Sequence, residues 1–450
     1  MLKDIFKGYD IRGRYPEELN EDIAYKIGKA FIAFAKVKQV AIGRDVRVSS
    51  PSLFDAFAKG ILEQGVDIVD LGLCTTPLLN FAAKFYNFKA AVNITASHNS
   101  EIWNGFKLYA NGQFLDYEEG ISQIAEMVIN EKLPKVSKKK GSITKKRIWK
   151  DYVRHVRSFI DEIPEMKIVI DTGNGMAGLS VPKVFEGSKI KIIPLYFDLD
   201  GTFPNHEPNP IKIENLHALM DTVKKEKGVC FGAAFDGDAD RIIFCDEKGS
   251  RISPDLIGAI IAKEVLRKNK GAKVLYDLRS SKAVKEEIEA AGGVPVMSRV
   301  GHAYIKIRMK KEDIIFGAEL SGHYYYKGNF FFDCGIITLM KILSCLKRHN
   351  KPLSELARSV EKYFHTRELN FQVDDKDAKI NQIKEHYQTK AKNIFEIDGL
   401  SVEFDDWWFN LRKSNTEALL RLNLEADTKK LMEKKRDEVI KLLKVSCKNS

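Results

Sequence analysis

The chain has 450 residues, of which 44% are hydrophobic and 30% charged, and its formal net charge is +11 at pH 7. This composition is typical of a globular protein, and the length exceeds what one hydrophobic core can organise, so we expect about two to four domains. No apolar run approaches the roughly 20 residues that cross a bilayer, and the first residues lack the apolar core of a signal peptide; both features indicate a cytoplasmic protein without a membrane partner.

The first third of the chain alternates between helix and strand periodicity. NEDIAYKIGKAFIAFAK, with Asn20 as its N-cap, predicts a helix, and the strand QVAIG and a helix with Pro51 in its first turn follow. The strand VDIVDLG, a helix at PLLNFAAKFY and the strand AAVNI come next. This β-α-β alternation predicts a mainly parallel or mixed sheet covered by helices.

A run of cations, KVSKKKGSITKKRIWK, occupies residues 135–150. One interpretation is a nucleic-acid surface, which would need cations and aromatic residues together on one face. The other is a solvated segment between two folded domains, and its position between two α/β patterns favours that interpretation. We therefore expect no nucleic-acid partner, and the remaining cations could serve an anionic small substrate.

The alternating pattern starts twice more, from MKIVID to GVCFGAAF and from PDLIGAIIAKEVLRK to DIIFGAEL. Beyond about residue 367 the pattern changes to short strands, one helix near 377–388 and a long C-terminal helix. We therefore predict three similar α/β domains with mixed sheets, at residues 1–145, 146–250 and 251–366, and a smaller α+β domain at 367–450.

An acidic motif, FDGDADR, places Asp236, Asp238 and Asp240 directly after a predicted strand. Alternate carboxylates can turn three oxygens toward one hard cation such as Mg²⁺, and Arg241 beside them could bind a phosphate. A calcium EF-hand loop is excluded because Arg241 stands at the sixth position, which requires glycine. An acidic turn between strands is the alternative. The six scattered cysteines form no Cys-x-x-Cys pair, which argues against a zinc site and a disulfide framework.

Ser97 lies in ITASHNSEIWNGFK, where the apolar strand AAVNI ends and a loop begins. The motif is not a Gly-x-Ser-x-Gly elbow, so Ser97 is not expected to be an α/β-hydrolase nucleophile. The serine, histidine and asparagine could simply cap the loop. Beside a Mg²⁺ site, however, a serine hydroxyl could carry a phosphoryl group while the cation neutralises charge.

Two further polar clusters follow. GAELSGH holds Glu319, Ser321 and His323, donors and acceptors that suit sugar hydroxyls. LRKSNTEALLR contains two arginines and three small polar residues that could form a phosphate cradle, because guanidinium groups match phosphate oxygens; these are Arg412, Ser414, Asn415, Thr416 and Arg421. Either cluster alone is also typical of a surface loop.

Taken in order, these motifs resemble the α-D-phosphohexomutase family, and within it the phosphomannomutase/phosphoglucomutase branch. The matching motifs span nearly the whole chain: GYDIRG (8–13), GRDVRVSS (43–50), TASHN with NGFK, DTGNG (171–175), DGTFPNHEPNP (200–210), DGDADR, VGHAYIK (300–306), GAELSGH and RKSNTEALLR. The resemblance implies four domains around a central cleft. It also implies an isomerase that interconverts hexose 1-phosphate and hexose 6-phosphate of mannose or glucose through a phosphoserine and a hexose 1,6-bisphosphate.

The resemblance also implies a role for each matched residue. Ser97 would be the phosphoserine and, with Asp236, Asp238 and Asp240, would bind Mg²⁺. The other catalytic residues would be Arg12, His98, Lys107 and His302. The substrate would contact Tyr9, Arg241, Arg279, Lys306, the sugar loop Glu319, Ser321 and His323, and the phosphate loop Arg412, Ser414, Asn415, Thr416 and Arg421. A hexose 1,6-bisphosphate would act as activator.

Two positions depart from the family pattern, since Ser100 and Ala418 stand where a proline is usual. The sugar loop begins Gly317-Ala318-Glu319, a form that is similar to the phosphomannomutase branch. Phosphoglucosamine mutases usually carry SGTEP where this chain has SNTEA, but such an enzyme stays an alternative, as does a catalytically silent sugar-phosphate-binding homologue. The expected partners are small-molecule hexose phosphates, and the chain could form a homo-oligomer.

Overall fold

The computed structural model describes residues 2–366, 368–414 and 419–444. Four sheets follow one another along the chain, and the first three are mixed while the fourth is antiparallel. Among the described residues, no helix combines the length and apolar character needed to span a bilayer. The predicted architecture of three α/β units and one smaller α+β unit is confirmed.

The first unit is built on a seven-stranded sheet with the order β1-β5-β4-β2-β3-β7, with β6 beside β5. Its elements are β1 (Ile11–Arg14), α1 (Glu21–Ala35), β2 (Gln39–Arg44), α2 (Ser50–Leu62), β3 (Asp67–Leu73), α3 (Thr76–Phe85), β4 (Ala90–Ile94), β5 (Trp103–Ala110), β6 (Gln113–Phe114), α4 (Ser122–Ile129) and β7 (Ile143–Lys145). Asn20 caps α1 as predicted, since its side chain accepts a hydrogen bond from the Ile23 amide.

The basic run at 135–150 is largely exposed, as predicted, although Ile148 is buried, and it does more than separate two domains. Ile143–Lys145 forms β7, which pairs in parallel with β3 and extends the first sheet. The reason is local: β-branched Ile143 and Thr144 suit an extended backbone. The exposed lysines around them are typical of an edge strand, where charge discourages pairing with another chain.

The second unit has the sheet order β11-β10-β8-β9. It begins with α5 (Trp149–Arg157) and continues with β8 (Lys167–Asp171), α6 (Ala177–Phe185), β9 (Lys191–Leu195), α7 (His217–Lys225), β10 (Val229–Phe235) and β11 (Ile242–Cys245). The third unit has the order β13-β12-β14-β15-β16. Its elements are α8 (Pro254–Lys268), β12 (Lys273–Asp277), α9 (Lys282–Ala290), β13 (Val294–Ser298), α10 (His302–Glu312), β14 (Phe316–Ala318), β15 (Tyr324–Tyr326), β16 (Phe332–Asp333), α11 (Gly335–His349) and α12 (Leu353–Arg358).

The C-terminal unit has the order β17-β22-β21-β20-β19, with β18 beside β22. Its elements are β17 (Phe364–His365), β18 (Leu369–Gln372), α13 (Lys376–Tyr387), β19 (Asn393–Phe395), β20 (Leu400–Glu403), β21 (Trp407–Lys413), β22 (Leu419–Ala426) and α14 (Lys429–Lys444). One apolar cluster runs through the first three units, whereas the fourth packs around a cluster of its own. The fourth unit is therefore the one that can move with least disturbance to the rest.

Candidate active site

The loop after β4 holds Ser97 in a strained, well-anchored position. Ser97 has φ 52°, in the left-handed region that few non-glycine residues adopt. Its amide donates to Thr95 Oγ1 over 2.9 Å, and its hydroxyl donates to Asp236 Oδ2 over 3.0 Å. The side chain is buried. Strain in a loop that is held this firmly is typical of a functional site.

Arg47 is the anchor of that loop, and the sequence reasoning did not select it. Its buried guanidinium donates to four backbone carbonyls, those of Ser97, Asn99, Ser100 and Trp103. Asp45 pairs with the same guanidinium over 3.0 Å. The sequence feature that could have indicated Arg47 is its position in the motif GRDVRVSS. A single arginine within a motif, however, does not show which carbonyl groups it contacts.

The three aspartates of the acidic motif converge directly after β10. Ligand oxygens of Asp236, Asp238 and Asp240 all lie within 4.8 Å of one another, and all three side chains are buried. Burial, and then the charges of Asp240 and Asp238, raise the pKa of Asp236 well above its ordinary value. Asp238 Oδ1 is buried and accepts no hydrogen bond from the described part of the chain. Three crowded carboxylates with a free oxygen fit a hard divalent cation.

Lys107 on β5 faces the same carboxylates. Its ammonium lies 2.6 Å from Asp238 Oδ2 and 2.7 Å from Asp240 Oδ2. Burial opposes the charge of this lysine, but the two aspartates outweigh burial and raise the pKa of Lys107. The structure therefore holds Lys107 as a cation next to the aspartates.

Two histidines beside this centre are neutral. His98 Nδ1 lies 3.3 Å from Ser97 Oγ, and burial together with the charges of Arg241 and Arg12 lowers the pKa of His98 well below its ordinary value. His302, the first residue of α10, has its pKa lowered by burial and by Lys306. Its Nδ1 is buried and has no hydrogen-bond partner among the described residues. That nitrogen is therefore available to a hydrogen-bonding group of a ligand.

Arg12 and Tyr9 close the first-unit side of the site. Arg12 Nη1 donates to Asn99 Oδ1 over 2.7 Å, and Arg12 also pairs with Asp10. The ring of Tyr9 packs edge-on against His302, with 5.3 Å between ring centroids. These contacts place Arg12 beside the serine loop and Tyr9 beside the first residue of α10.

The sugar-loop residues are more enclosed than expected. Glu319 is buried and accepts hydrogen bonds from the Gly301 amide and the Tyr325 hydroxyl. His323 lies 3.2 Å from Glu319 Oε2 and 3.3 Å from Asp240 Oδ1. Ser321 Oγ lies 3.0 Å from His323 Nδ1. This loop therefore contacts the aspartate centre directly.

Opposing effects set the charges of His323 and Glu319. Burial and Arg241 lower the pKa of His323, but Asp240 and Glu319 outweigh them and raise it to about 9. Burial would raise the pKa of Glu319, but His323, Arg279 and Tyr325 together lower it to about 2. The pair is therefore an imidazolium and a carboxylate.

Arg241 and Lys306 occupy different surroundings. The Arg241 amide donates to Asp236 Oδ1 over 3.1 Å, and its backbone bridges to His323, so Arg241 joins the metal and sugar loops. Lys306 Nζ lies 2.9 Å from Asp333 Oδ1. Lys306 was predicted to line the cleft, but its ammonium is already neutralised inside the third unit.

A second group of cations lies at the C-terminal unit. Arg412 on β21 and Arg421 on β22 are cross-strand partners. Glu368 reaches both: its Oε2 accepts from Arg412 Nη2 over 3.0 Å, and its Oε1 lies 3.4 Å from Arg421 Nη1. Arg279 Nη1 approaches the same carboxylate to 3.7 Å. The sequence reasoning missed Glu368, because an isolated glutamate carries no pattern.

The remaining predicted residues of the phosphate loop are only partly described. The Ser414 amide donates to the Leu419 carbonyl over 2.9 Å at the end of β21. Asn415 and Thr416 lie outside the described residues.

Asp277 joins the aspartate and sugar-loop group of the site to the arginine group at the C-terminal unit. It pairs with Arg279 over 2.6 Å and accepts a hydrogen bond from the Leu320 amide of the sugar loop over 2.8 Å.

Family models match all four units. The phosphoglucomutase/phosphomannomutase alpha/beta/alpha domain I matches residues 3–134, domain II residues 150–249, domain III residues 253–363 and the C-terminal domain residues 368–442. The chain belongs to the phosphoglucomutase/phosphomannomutase family. The resemblance drawn from the motifs is therefore confirmed, and the chain is a phosphohexomutase, an isomerase.

Individual members of this family are similar over nearly the full length. The phosphomannomutase of Escherichia coli K12 is 39% identical over 433 residues, which cover 94% of each chain. A solved phosphoglucomutase/phosphomannomutase family protein of Burkholderia thailandensis is 31% identical, with a TM-score of 0.91 over 98% of this chain and 97% of that one.

A more distant structure shares the fold. It is the Aspergillus fumigatus N-acetylphosphoglucosamine mutase in complex with GlcNAc-6P and magnesium, at 13% identity and a TM-score of 0.58 over 90% of this chain and 83% of that one. None of these comparisons favours the two alternatives, a phosphoglucosamine mutase or a silent homologue.

Proposed function

We propose that this phosphohexomutase interconverts the 1-phosphates and 6-phosphates of mannose and glucose, with Ser97 as the carrier of the phosphoryl group. The observation that carries the proposal is the 3.0 Å hydrogen bond from Ser97 Oγ to Asp236 Oδ2. It places a strained, buried hydroxyl against the aspartates that could bind a cation. A hexose 1,6-bisphosphate would prime Ser97 before the first turnover.

Asp236, Asp238 and Asp240, with the phosphate on Ser97, would hold Mg²⁺. The cation would supply neutralisation of phosphate charge. In the first half-reaction the O6 hydroxyl of the hexose 1-phosphate attacks phosphoserine 97. The phosphorus–Oγ bond breaks and a phosphorus–O6 bond forms. In the second half the bisphosphate, after turning in the cleft, gives its C1 phosphoryl group to Ser97. The phosphorus–O1 bond breaks, a phosphorus–Oγ bond forms, O1 takes back the proton lost by O6, and hexose 6-phosphate leaves.

The sugar hydroxyl must lose its proton during attack. His302 suits this step better than Lys107, because the Nδ1 of His302 is neutral and unpartnered in the described structure, whereas two carboxylates hold Lys107 as a cation. His98, close to Ser97 Oγ, would orient the seryl phosphate, and Arg12 would keep the loop in place through Asn99. Glu319 would have to exchange an internal hydrogen bond for a sugar hydroxyl.

The arginines of the C-terminal unit would bind the phosphate that is not reacting. Arg412, Arg421 and Arg279 already converge on one carboxylate, Glu368. A phosphate dianion offers these guanidinium groups more charge and more acceptors than a carboxylate does. The substrate phosphate would therefore compete with Glu368 for these guanidinium groups. Closure of the fourth unit, which packs around a cluster of its own, would exclude water from the phosphoserine.

The test of the proposed substrates is kcat/KM for four sugar 1-phosphates under one set of conditions. Mannose and glucose differ only at C2, which has no counterpart when the bisphosphate turns, so we expect their values to lie within about 10–200-fold of each other. Galactose, inverted at C4, should be much poorer because it leaves Glu319 or its partners unpaired. A marked preference for glucosamine would overturn the assignment, and good turnover of galactose would overturn the role of Glu319.

A further inference from the structure

A cavity of about 300 Å³ lies between the first and third units, and its lining residues include neither Ser97 nor the three aspartates. Its walls come from the end of α3, the turn between β5 and β6 together with β6, the residues of α10 from Ala303 to Lys311, and the segment 330–332. A volume of this size is at the lower end of small-molecule sites. The cavity therefore suits one compact ligand rather than a polymer.

One wall of the cavity is aromatic. The rings of Phe114 and Phe332 meet edge-to-face, with 5.6 Å between centroids. Phe331 beside them is partly exposed and has φ 67°, and Phe330 before it has φ 56°. Two bulky residues in succession seldom adopt the left-handed region, and such strain is typical of ligand-binding segments. The wall presents mainly ring surface, and the amide of Gln113 beside Phe114 already donates a hydrogen bond to Glu119, so the wall suits a flat apolar group.

Four lysines are the charged residues of the lining; they are Lys84, Lys306, Lys310 and Lys311, and Lys306 is paired with Asp333. Lys84 donates to the Gly112 carbonyl over 2.7 Å, and burial together with Lys310 and Lys89 lowers the pKa of Lys84. Lys310 and Lys311 are exposed on the last turn of α10, and neither has an ion pair with a carboxylate in the described part of the chain. Lysines that act on one another without a counter-charge favour a bound anion.

We propose that this cavity binds a nucleoside phosphate, with the base against Phe331 and Phe332 and the phosphate beside Lys84, Lys310 and Lys311. Every nucleobase has a flat ring face that can stack on an aromatic side chain, whichever hydrogen-bond donors and acceptors it carries. Ammonium groups bind phosphate as point charges. The combination favours this ligand class, because a flat base can cover the ring surface while a phosphate neutralises the neighbouring lysines.

Isothermal titration of the full chain with ADP and GDP tests the proposal. Adenosine and pyrophosphate, which carry only the ring or only the charge, serve as matched half-ligands. We expect one site with Kd below about 1 mM for at least one of the two nucleotides. Adenosine and pyrophosphate should each bind at least about tenfold more weakly than that nucleotide. Phe331→Leu keeps the apolar bulk but removes the ring, and Lys310→Ala with Lys311→Ala removes exposed charge; each should weaken binding about fivefold or more.

Two controls separate this cavity from the catalytic cleft, whose arginines could also bind phosphate. Arg412→Ala and a saturating concentration of glucose 1,6-bisphosphate should leave nucleotide binding unchanged. Thermal unfolding of each variant checks that it is folded. Absence of binding at about 5 mM nucleotide, displacement by glucose 1,6-bisphosphate, or pyrophosphate binding as tightly as the nucleotide would each overturn the proposal.

Discussion

Glu368 accepts a hydrogen bond from Arg412 over 3.0 Å, and this contact joins the segment that enters the C-terminal unit to the sheet of that unit. Burial would raise the pKa of Glu368, but Arg279, Arg412 and Arg421 together lower it. The carboxylate is thus charged and occupies the arginines that we assign to the distal phosphate.

Glu368→Gln should lower KM for hexose 1-phosphates, because the neutral amide competes less well with phosphate for the guanidinium groups. We expect a several-fold fall. Arg412→Ala, the matched opposite change, should raise KM by about tenfold or more, since a charge-assisted contact contributes about 1.5–3 kcal/mol. Steady-state kinetics on both variants measure the effect. If Glu368→Gln raises KM as Arg412→Ala does, Glu368 positions the arginines instead of competing for them.

Arg47 should matter for turnover although it lies behind the serine loop. Arg47→Lys keeps the charge but cannot reach the four carbonyls and Asp45 at once. Displacement of the loop by about 1 Å would lower kcat by about 100-fold. Arg44→Lys, in the same motif but paired with Asp70 and packed over Phe54, away from the serine loop, is the control. An Arg47→Lys variant with the kcat of the wild type would show that the loop keeps its shape unaided.

Divalent metal should be needed for turnover. Chelation should abolish activity and added Mg²⁺ should restore it. Asp238→Asn should raise the Mg²⁺ concentration needed for half-maximal activity. The reason is that an amide replaces a carboxylate whose second oxygen has no hydrogen-bond partner in the described structure. Asp221→Asn, on the exposed face of α7, is the control. Activity as a function of free Mg²⁺ gives the answer, and full turnover by thoroughly chelated enzyme would exclude a metal role.

His206 and Asp171 should make the stability of the second unit depend on pH. Burial disfavours the charged ring, but the hydrogen bond and charge of Asp171 outweigh burial and raise the pKa of His206. A raised pKa stabilises the folded state below the unfolded value of about 6.5, and this stabilisation is lost as pH rises through the folded value. The Tm difference between wild type and His206→Gln should therefore be larger at about pH 5.5 than at about pH 8.5. An equal or reversed difference would contradict this account.

The sequence predicted the fold well because the helices and strands of the first three units carry strong apolar periodicity. The sequence analysis did not predict β7, because three residues within a run of lysines are too few to show the alternating pattern of a strand. The contact of Ser97 with Asp236 joins residues 139 positions apart, and no local pattern specifies such a contact; the chemistry of the two motifs made it plausible, and the family resemblance implied it. Arg47 and Glu368 were missed for a related reason, since each acts through partners that are distant in sequence.

The central claim is that Ser97 carries the phosphoryl group, and mass spectrometry tests it most directly. The protein is incubated with glucose 1,6-bisphosphate, its intact mass is measured, and its peptides are mapped. We expect a gain of one phosphoryl group, located on Ser97, that is absent in Ser97→Ala and present in Ser100→Ala, a serine of the same loop. A phosphoryl group reproducibly on another residue, with Ser97→Ala still active, would contradict the account.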